Sequence, residues 1–164
     1  MSGPDAEDPL PLIGALLRMP VDAVHRRIIA DLQAAGFADL GDAHMAVLRY
    51  PGPQGRRPSD LAAELGMSKQ AVNYLLGGLE RAGYVRRAAD PHDGRSRRLE
   101  LTERGEAVRT TIRSTVTAIE DELAAELGRA EFTQLRALLV RLNETEFVRR
   151  RAATDYGAAA TTRR

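Results

Sequence analysis

The sequence predicts a mainly α-helical protein with one small β-hairpin, in which two short helices precede the hairpin and longer amphipathic helices lie on both sides. Three observations predict this. Apolar residues recur at three and four spacing near both ends of the chain; capping residues and glycines cut the middle into short helices; and two β-prone runs flank a loop rich in turn residues. At 164 residues and 17.9 kDa, the chain fits a single domain, or a small module embedded in helices that bury themselves against a partner.

Residues 1–9 are expected to be disordered. A helical pattern then begins near Pro11, with Leu17, Val21, Val24, Ile28 and Leu32 on one face. Pro20 is expected to kink or restart this helix, and Gly36 to cap its end. Asp42 can cap a short helix carrying Val47 and Leu48, which stops at Tyr50 before the turn-rich Pro51–Gly55. Ser59 can cap the next helix, with Asp60 in its first turn. Gly66 supplies a turn, and Ser68 caps a further helix that runs to Arg81 or Ala82. Leu61, Leu65, Val72, Leu76 and Leu79 would form the shared interior of this pair, leaving Lys69, Gln70, Asn73 and Tyr74 on the opposite face.

After Gly83, residues Tyr84–Ala89 and Ser96–Leu101 read as two strands around the loop Asp90-Pro-His-Asp-Gly-Arg95. Thr102 can cap a long helix with Val108, Ile112, Val116, Ile119, Leu123 and Leu127 in register, ending at Gly128. A last helix carries Phe132, Leu135, Leu138, Leu139 and Leu142. Residues 148–164 read as a flexible basic tail.

Composition narrows the function. With no cysteine, disulfides, thiolate metal sites and a cysteine nucleophile are excluded. The longest apolar stretch of the amino terminus, Leu12 to Leu17, is too short to span a bilayer, so a cytoplasmic protein without membrane contact is expected. The net charge of +1 conceals segregation. Residues 54–98 hold nine basic and five acidic side chains, whereas the rest of the chain before residue 149 holds ten basic and seventeen acidic. A basic middle between acidic flanks suits a polyanionic partner.

The second helix of a helix-turn-helix fits the major groove, where every base pair shows a distinct donor and acceptor pattern. Gln70 and Asn73 can pair with adenine, Lys69 can reach guanine or phosphate, and Ser68 can bond a phosphate at the helix start. In the hairpin, Arg95 is the first candidate for minor-groove insertion, with Arg97 and Arg98 for phosphates. Asp93 either restrains Arg95 or closes the turn. Gly77-Gly78, inside the second helix, costs about 1 kcal/mol per glycine relative to alanine. Gly77 is read equally as allowing close approach to DNA or as a tolerated weak point.

Other chemistries find little support. Pro53-Gln-Gly-Arg-Arg-Pro-Ser59 lacks the lysine and glycine spacing of a phosphate loop. His92-Asp93 lacks further metal ligands, and His25 and His44 read as ordinary surface or core histidines. No catalytic residues, metal or cofactor are expected. The rival reading is a protein-interaction adaptor whose basic hairpin docks on an acidic partner, although an adaptor would favour an exposed apolar patch.

The run Asp90-Pro-His-Asp-Gly-Arg-Ser-Arg-Arg-Leu-Glu-Leu-Thr102 resembles the wing signature of the MarR family of bacterial regulators. Pro58-Ser-Asp-Leu-Ala-Ala-Glu-Leu-Gly-Met-Ser68 and Leu79-Glu-Arg-Ala-Gly-Tyr-Val85 are similar to that family's helix-turn-helix and its exit into the wing. The resemblance covers roughly residues 16–142. It implies a winged helix-turn-helix over residues 37–101, flanked by dimerisation helices over 10–36 and 102–147, and a regulator that binds a palindromic double-stranded DNA operator as a homodimer, with repression the expected sense. The apolar stripes on the terminal helices agree, since they exceed what a module of that size needs. Many members of the family also bind a small aromatic or phenolic effector that releases DNA.

Overall fold

A computed structural model describes residues 11–48, 53–90 and 93–148, with only the backbone described at residues 93–95. Six helices and one hairpin follow in the order α1 (Ile13–Ala34), α2 (Asp42–Leu48), α3 (Pro58–Glu64), α4 (Lys69–Arg81), β1 (Val85–Asp90), β2 (Asp93–Leu101), α5 (Glu103–Leu127) and α6 (Arg129–Asn143). The mainly α fold with a hairpin wing is therefore present. The expectations for residues 1–9 and for the tail from 149 onward lie outside the described residues; Val148 ends a short helical turn.

The core gathers where the short elements meet. Val72, Leu75, Leu76 and Leu79 of α4 pack with Leu61 and Ala62 of α3, Val47 and Leu48 of α2, Val85 and Leu99 of the hairpin, Leu32 of α1 and Val108 of α5. Leu65 packs at the margin of this cluster. An isolated two-stranded hairpin is marginal in water. Here Val85 and Leu99 anchor it, and the segment before α3 pairs with its outer edge through Gly55 N–H to Leu99 O (2.7 Å) and Leu99 N–H to Arg56 O (2.8 Å). Gln54 Oε1 accepts from the Leu101 N–H at 2.6 Å, extending the same edge.

Several local details differ from the sequence expectations. The α1 helix runs through Pro20 without stopping or restarting. Proline removes one ladder bond, and the solvent-facing turns on both sides keep theirs. Asp42 is the first residue of α2 and not its cap: Gly41 O accepts from His44 N–H, and the Asp42 carboxylate faces His25 Nε2 at 3.1 Å. Ser59 is likewise no cap. The α3 helix begins two residues earlier than a Ser59 cap would set it, at Pro58, whose fixed φ and missing N–H suit the first helical position. The first strand is shifted by one residue to Val85–Asp90 and the second starts three residues earlier than expected, at Asp93, so the connecting loop shrinks to Pro91-His92, outside the described residues.

The expected boundaries at Ser68, Gly83 and Thr102 are found. Ser68 Oγ accepts from Ala71 N–H (3.1 Å). Gly83, at φ +77°, lets Tyr84 N–H reach back to Leu79 O while Gly83 N–H bonds Glu80 O. An L side chain at that φ would be strained, so glycine is the residue that ends α4 and turns the chain into β1. Thr102 Oγ1 accepts from Gly105 N–H (3.1 Å) and its hydroxyl donates to the Gly83 and Tyr84 carbonyls, joining the start of α5 to the base of the hairpin.

A polar cluster fastens the same corner. The Tyr84 hydroxyl donates to Asp39 Oδ1 (2.5 Å), and Arg104 Nη2 lies 2.8 Å from that hydroxyl, with its guanidinium 4.7 Å from the Tyr84 ring centre. The Tyr84 bond, with help from Arg104, holds the Asp39 carboxyl below its ordinary value of 3.8 despite some desolvation. A lowered folded-state pKa means that the ionised form stabilises the fold above 3.8 and that this contribution fades as pH falls through the lower folded value. Asp39→Asn is expected to flatten the loss of stability on the acid side, read as unfolding midpoint against pH. An unchanged acid slope would remove Asp39 from the account.

The terminal helices are packed on one side only. Thr115 Oγ1 donates to Asp31 Oδ2 (2.8 Å), and Arg27 pairs with Glu122 (3.4 Å), which locks α1 to α5. Yet Leu12, Ile13, Leu16, Leu17, Met19 and Val21 near the start of the chain, and Leu127, Leu135, Leu138, Leu139, Val140 and Phe147 near its end, are exposed. Among the described residues, no helix is long and apolar enough to cross a membrane.

Candidate nucleic-acid interface

The α4 helix divides into two faces for a simple reason of periodicity. Val72, Leu75, Leu76 and Leu79 fill the inward stripe, so Lys69, Gln70 and Asn73, together with Tyr74 at 77% exposure, are forced onto the outward one. Ser68 caps the helix with its oxygen, which leaves its hydroxyl hydrogen free to donate to an anion. Lys69 sits at the first helical position, where a cation opposes the helix dipole but adds to the attraction of the free N–H groups for phosphate. The helix start thus presents a hydroxyl and a cation to solvent. Beside it, Ala43 and Ala46 of α2 with Met67, Ala71, Tyr74 and Leu75 line a shallow apolar depression.

The hairpin stands next to this face, with Ala89 opposite Arg97 and Ala88 opposite Arg98. Arg97 is exposed. Arg98 is occupied: its Nε lies 2.9 Å from Asp90 Oδ2, the same oxygen that accepts from Arg57 Nε (3.0 Å) and Nη2 (2.8 Å). The Asp90 side chain is 0% exposed, so two cations from different segments meet one buried anion at the loop end of β1. Arg98 accordingly tethers the wing to the turn before α3, and a phosphate would have to compete with Asp90 for it. Arg95 is in β2, but its side chain lies outside the described residues, as does that of Asp93.

Composition and periodicity did not single out Arg87, Glu80, Arg57 or Asp90. Arg87 Nη2 donates to Asn73 Oδ1 at 3.1 Å, and its Nε lies 3.0 Å from Glu80 Oε1. Arg57 also precedes α3, whose first turn it joins to the wing. The sequence marks Asp90 as the start of the wing's Asp-Pro turn but not as a buried anion, and its burial follows from the contact between the wing and the turn before α3. Arg86 pairs across the strands with Glu100 (2.9 Å), and Arg56 pairs with Glu64.

The two helical glycines separate on inspection. A Cβ on Gly78 would lie 3.2 Å from His44 Nε2, so this glycine admits α2 close to α4; a Cβ on Gly77 would meet nothing within 4 Å. Gly77→Ala is therefore expected to stabilise the protein by about 0.5–1 kcal/mol in chemical denaturation, through helix propensity alone. A fall in DNA affinity of the same variant would assign Gly77 to close approach; unchanged affinity would make it a tolerated weak point. No gain in stability would contradict the open space seen at this position.

A model of the MarR family matches residues 38–96. Among solved structures, the chain is similar to MarR at 30% identity and a TM-score of 0.67, over 93% of this chain and 99% of that one. It is similar to a MarR family protein of Mycobacterium tuberculosis in complex with salicylic acid at 29% identity and a TM-score of 0.58, over 82% and 98% of the two chains. Streptococcus pneumoniae FabT in complex with DNA shares the fold at 22% identity and a TM-score of 0.67, over 80% and 93%. A sequence search among curated proteins finds no match.

Proposed function

The chain belongs to the MarR family, whose members are transcription regulators and not enzymes, and we propose that it is a cytoplasmic DNA-binding repressor that reads a palindromic operator as a homodimer. The observation that carries this reading is the outward face of α4, with a capped and positively charged start, beside an arginine-bearing wing. Residues 37–101 serve as the DNA-binding domain. Residues 10–36 and 102–147 serve as the dimerisation helices, because their exposed apolar side chains need a second copy for burial. Twofold symmetry then sets two α4 helices in successive major grooves, roughly 34–36 Å apart.

In this arrangement Gln70, Asn73 and Lys69 face base edges, Tyr74 adds apolar contact, and Ser68 and Arg97 hold phosphates. Arg95 enters the minor groove, while Arg98 contributes by holding the wing in place. The salicylic acid bound to the M. tuberculosis relative supports a small aromatic effector here as well. Such a ligand would release DNA only by favouring a dimer with a different spacing of the two α4 helices.

Fluorescence anisotropy of the purified protein, titrated against the DNA upstream of its own gene and against a shuffled duplex at low and physiological salt, tests the reading. Tight binding that prefers the native fragment and weakens with salt is expected. Arg95→Ala, Gln70→Ala and Asn73→Ala should each cost on the order of 1–3 kcal/mol, with base preference relaxed in the last two. Absence of binding at low salt would turn the interpretation to a protein-interaction adaptor.

A further inference from the structure

The contact between Arg87 and Asn73 constrains what Asn73 can recognise. Asn73 and Glu80 lie seven residues apart on α4, so two helical turns bring them to the same face. Arg87, on β1, bridges them: its Nε faces Glu80 Oε1 at 3.0 Å, and its Nη2 donates to Asn73 Oδ1 at 3.1 Å. The side chains of Arg87 and Glu80 are both about two-thirds buried, which shields the ion pair from water and holds the guanidinium in one place. A guanidinium has five donors and no acceptor. Only the oxygen end of the Asn73 amide can face it, since the reversed amide would set its own N–H groups against those of Arg87. The Nδ2 group is left as the end available to a ligand.

We propose that Arg87 is a positioning residue for base recognition, holding the Asn73 amide with its NH2 group outward so that each protomer selects guanine over adenine at the base pair Asn73 meets. An asparagine that reads adenine uses both ends, accepting from N6 and donating to N7. Held against Arg87, the oxygen has one of its two lone pairs engaged and is turned away from the base edge, which weakens the accepting half of that pair. Guanine presents two acceptors, N7 and O6, in the major groove and matches a donor-only amide. Lys69, one turn earlier on the same face, brings further donors to this part of the groove. The proposal rests on α4 entering the major groove.

Selection of bound duplexes from a randomised pool, followed by salt-dependent anisotropy on the enriched sequence, tests it. The wild-type protein is expected to enrich guanine over adenine at one position of each half-site, on the order of tenfold. Asn73→Ala should abolish that enrichment. Arg87→Ala should bring adenine to parity at that position with an unchanged salt slope, and Arg87→Lys, which keeps a donor, should retain part of the preference. Asn73→Asp, which keeps its partner Arg87 but turns an acceptor outward, should move the preference to cytosine. If Arg87→Ala keeps the guanine preference while the salt slope falls by about one, Arg87 is a phosphate contact and the proposal fails. Enrichment of adenine by the wild-type protein overturns the proposal but leaves DNA binding intact, whereas no enrichment of any sequence at low salt overturns both.

Discussion

Asp90→Ala is expected to destabilise the protein by about 3 kcal/mol, because it removes the carboxylate that faces two guanidiniums at the loop end of β1. Asp90 Oδ2 accepts from Arg57 at 2.8 and 3.0 Å and lies 2.9 Å from Arg98 Nε, and its side chain is fully buried. Deleting one partner of a buried ion pair costs about 3–5 kcal/mol when the remaining charge is trapped. Arg57 and Arg98 retain 38% and 35% exposure and can turn toward water, which places the effect at the lower end. Chemical denaturation at fixed protomer concentration measures it. Because the lost contacts orient β2 relative to α3, operator affinity should fall more than that of Arg97→Ala. A loss of stability below about 1 kcal/mol would show that the surrounding core, and not the ion triad, holds the wing.

Gly105→Ala is the second large effect. In the first turn of α5, a Cβ at this position would stand 2.0 Å from the Tyr84 carbonyl oxygen and 3.1 Å from Leu101 Cδ2. The oxygen belongs to the backbone and cannot rotate away, so the helix start must lift off the hairpin base. Lifting it also stretches the bonds from Thr102 to the Gly83 and Tyr84 carbonyls. Overpacking of this kind costs typically about 1–3 kcal/mol, and the backbone clash puts this site at the upper limit. A chain of this size should then lose roughly 6–12 °C in Tm by differential scanning calorimetry. Because α5 joins the wing to the helices with exposed apolar faces, DNA affinity should fall as well. An unchanged Tm would mean that α5 can shift freely at its start, contrary to the packing seen here.

Both residues show where reading from the sequence ends. The helices and their boundaries were legible because they depend on neighbours in the chain. A three and four apolar spacing defines the inward face of α4, Ser68 and Thr102 bond N–H groups three residues away, and Gly83 supplies a conformation that other residues avoid. The same logic failed locally at Ser59 and Asp42. There, Pro58 started the helix sooner and His25 claimed the carboxylate. At Pro20, one missing hydrogen bond was too small a loss to end a helix of 22 residues.

The outward face of α4, with Lys69, Gln70, Asn73 and Tyr74, followed from that periodicity alone. The roles of the charged residues around it did not. Arg57, Asp90 and Arg98 come from three separate stretches and meet only when the wing folds against the start of α3; Arg87 reaches Asn73 only because β1 returns along α4. Arginine composition is the same for a residue that faces DNA and for one that neutralises a buried aspartate, so charge counting cannot separate Arg97 from Arg98. Short-range spacing and a local motif were enough for the family resemblance, the order of helices and hairpin, and the open face of α4. Which arginines are occupied, which way the Asn73 amide faces and why Gly105 has no side chain depend instead on distances between segments remote in the chain, which come into being when the chain packs.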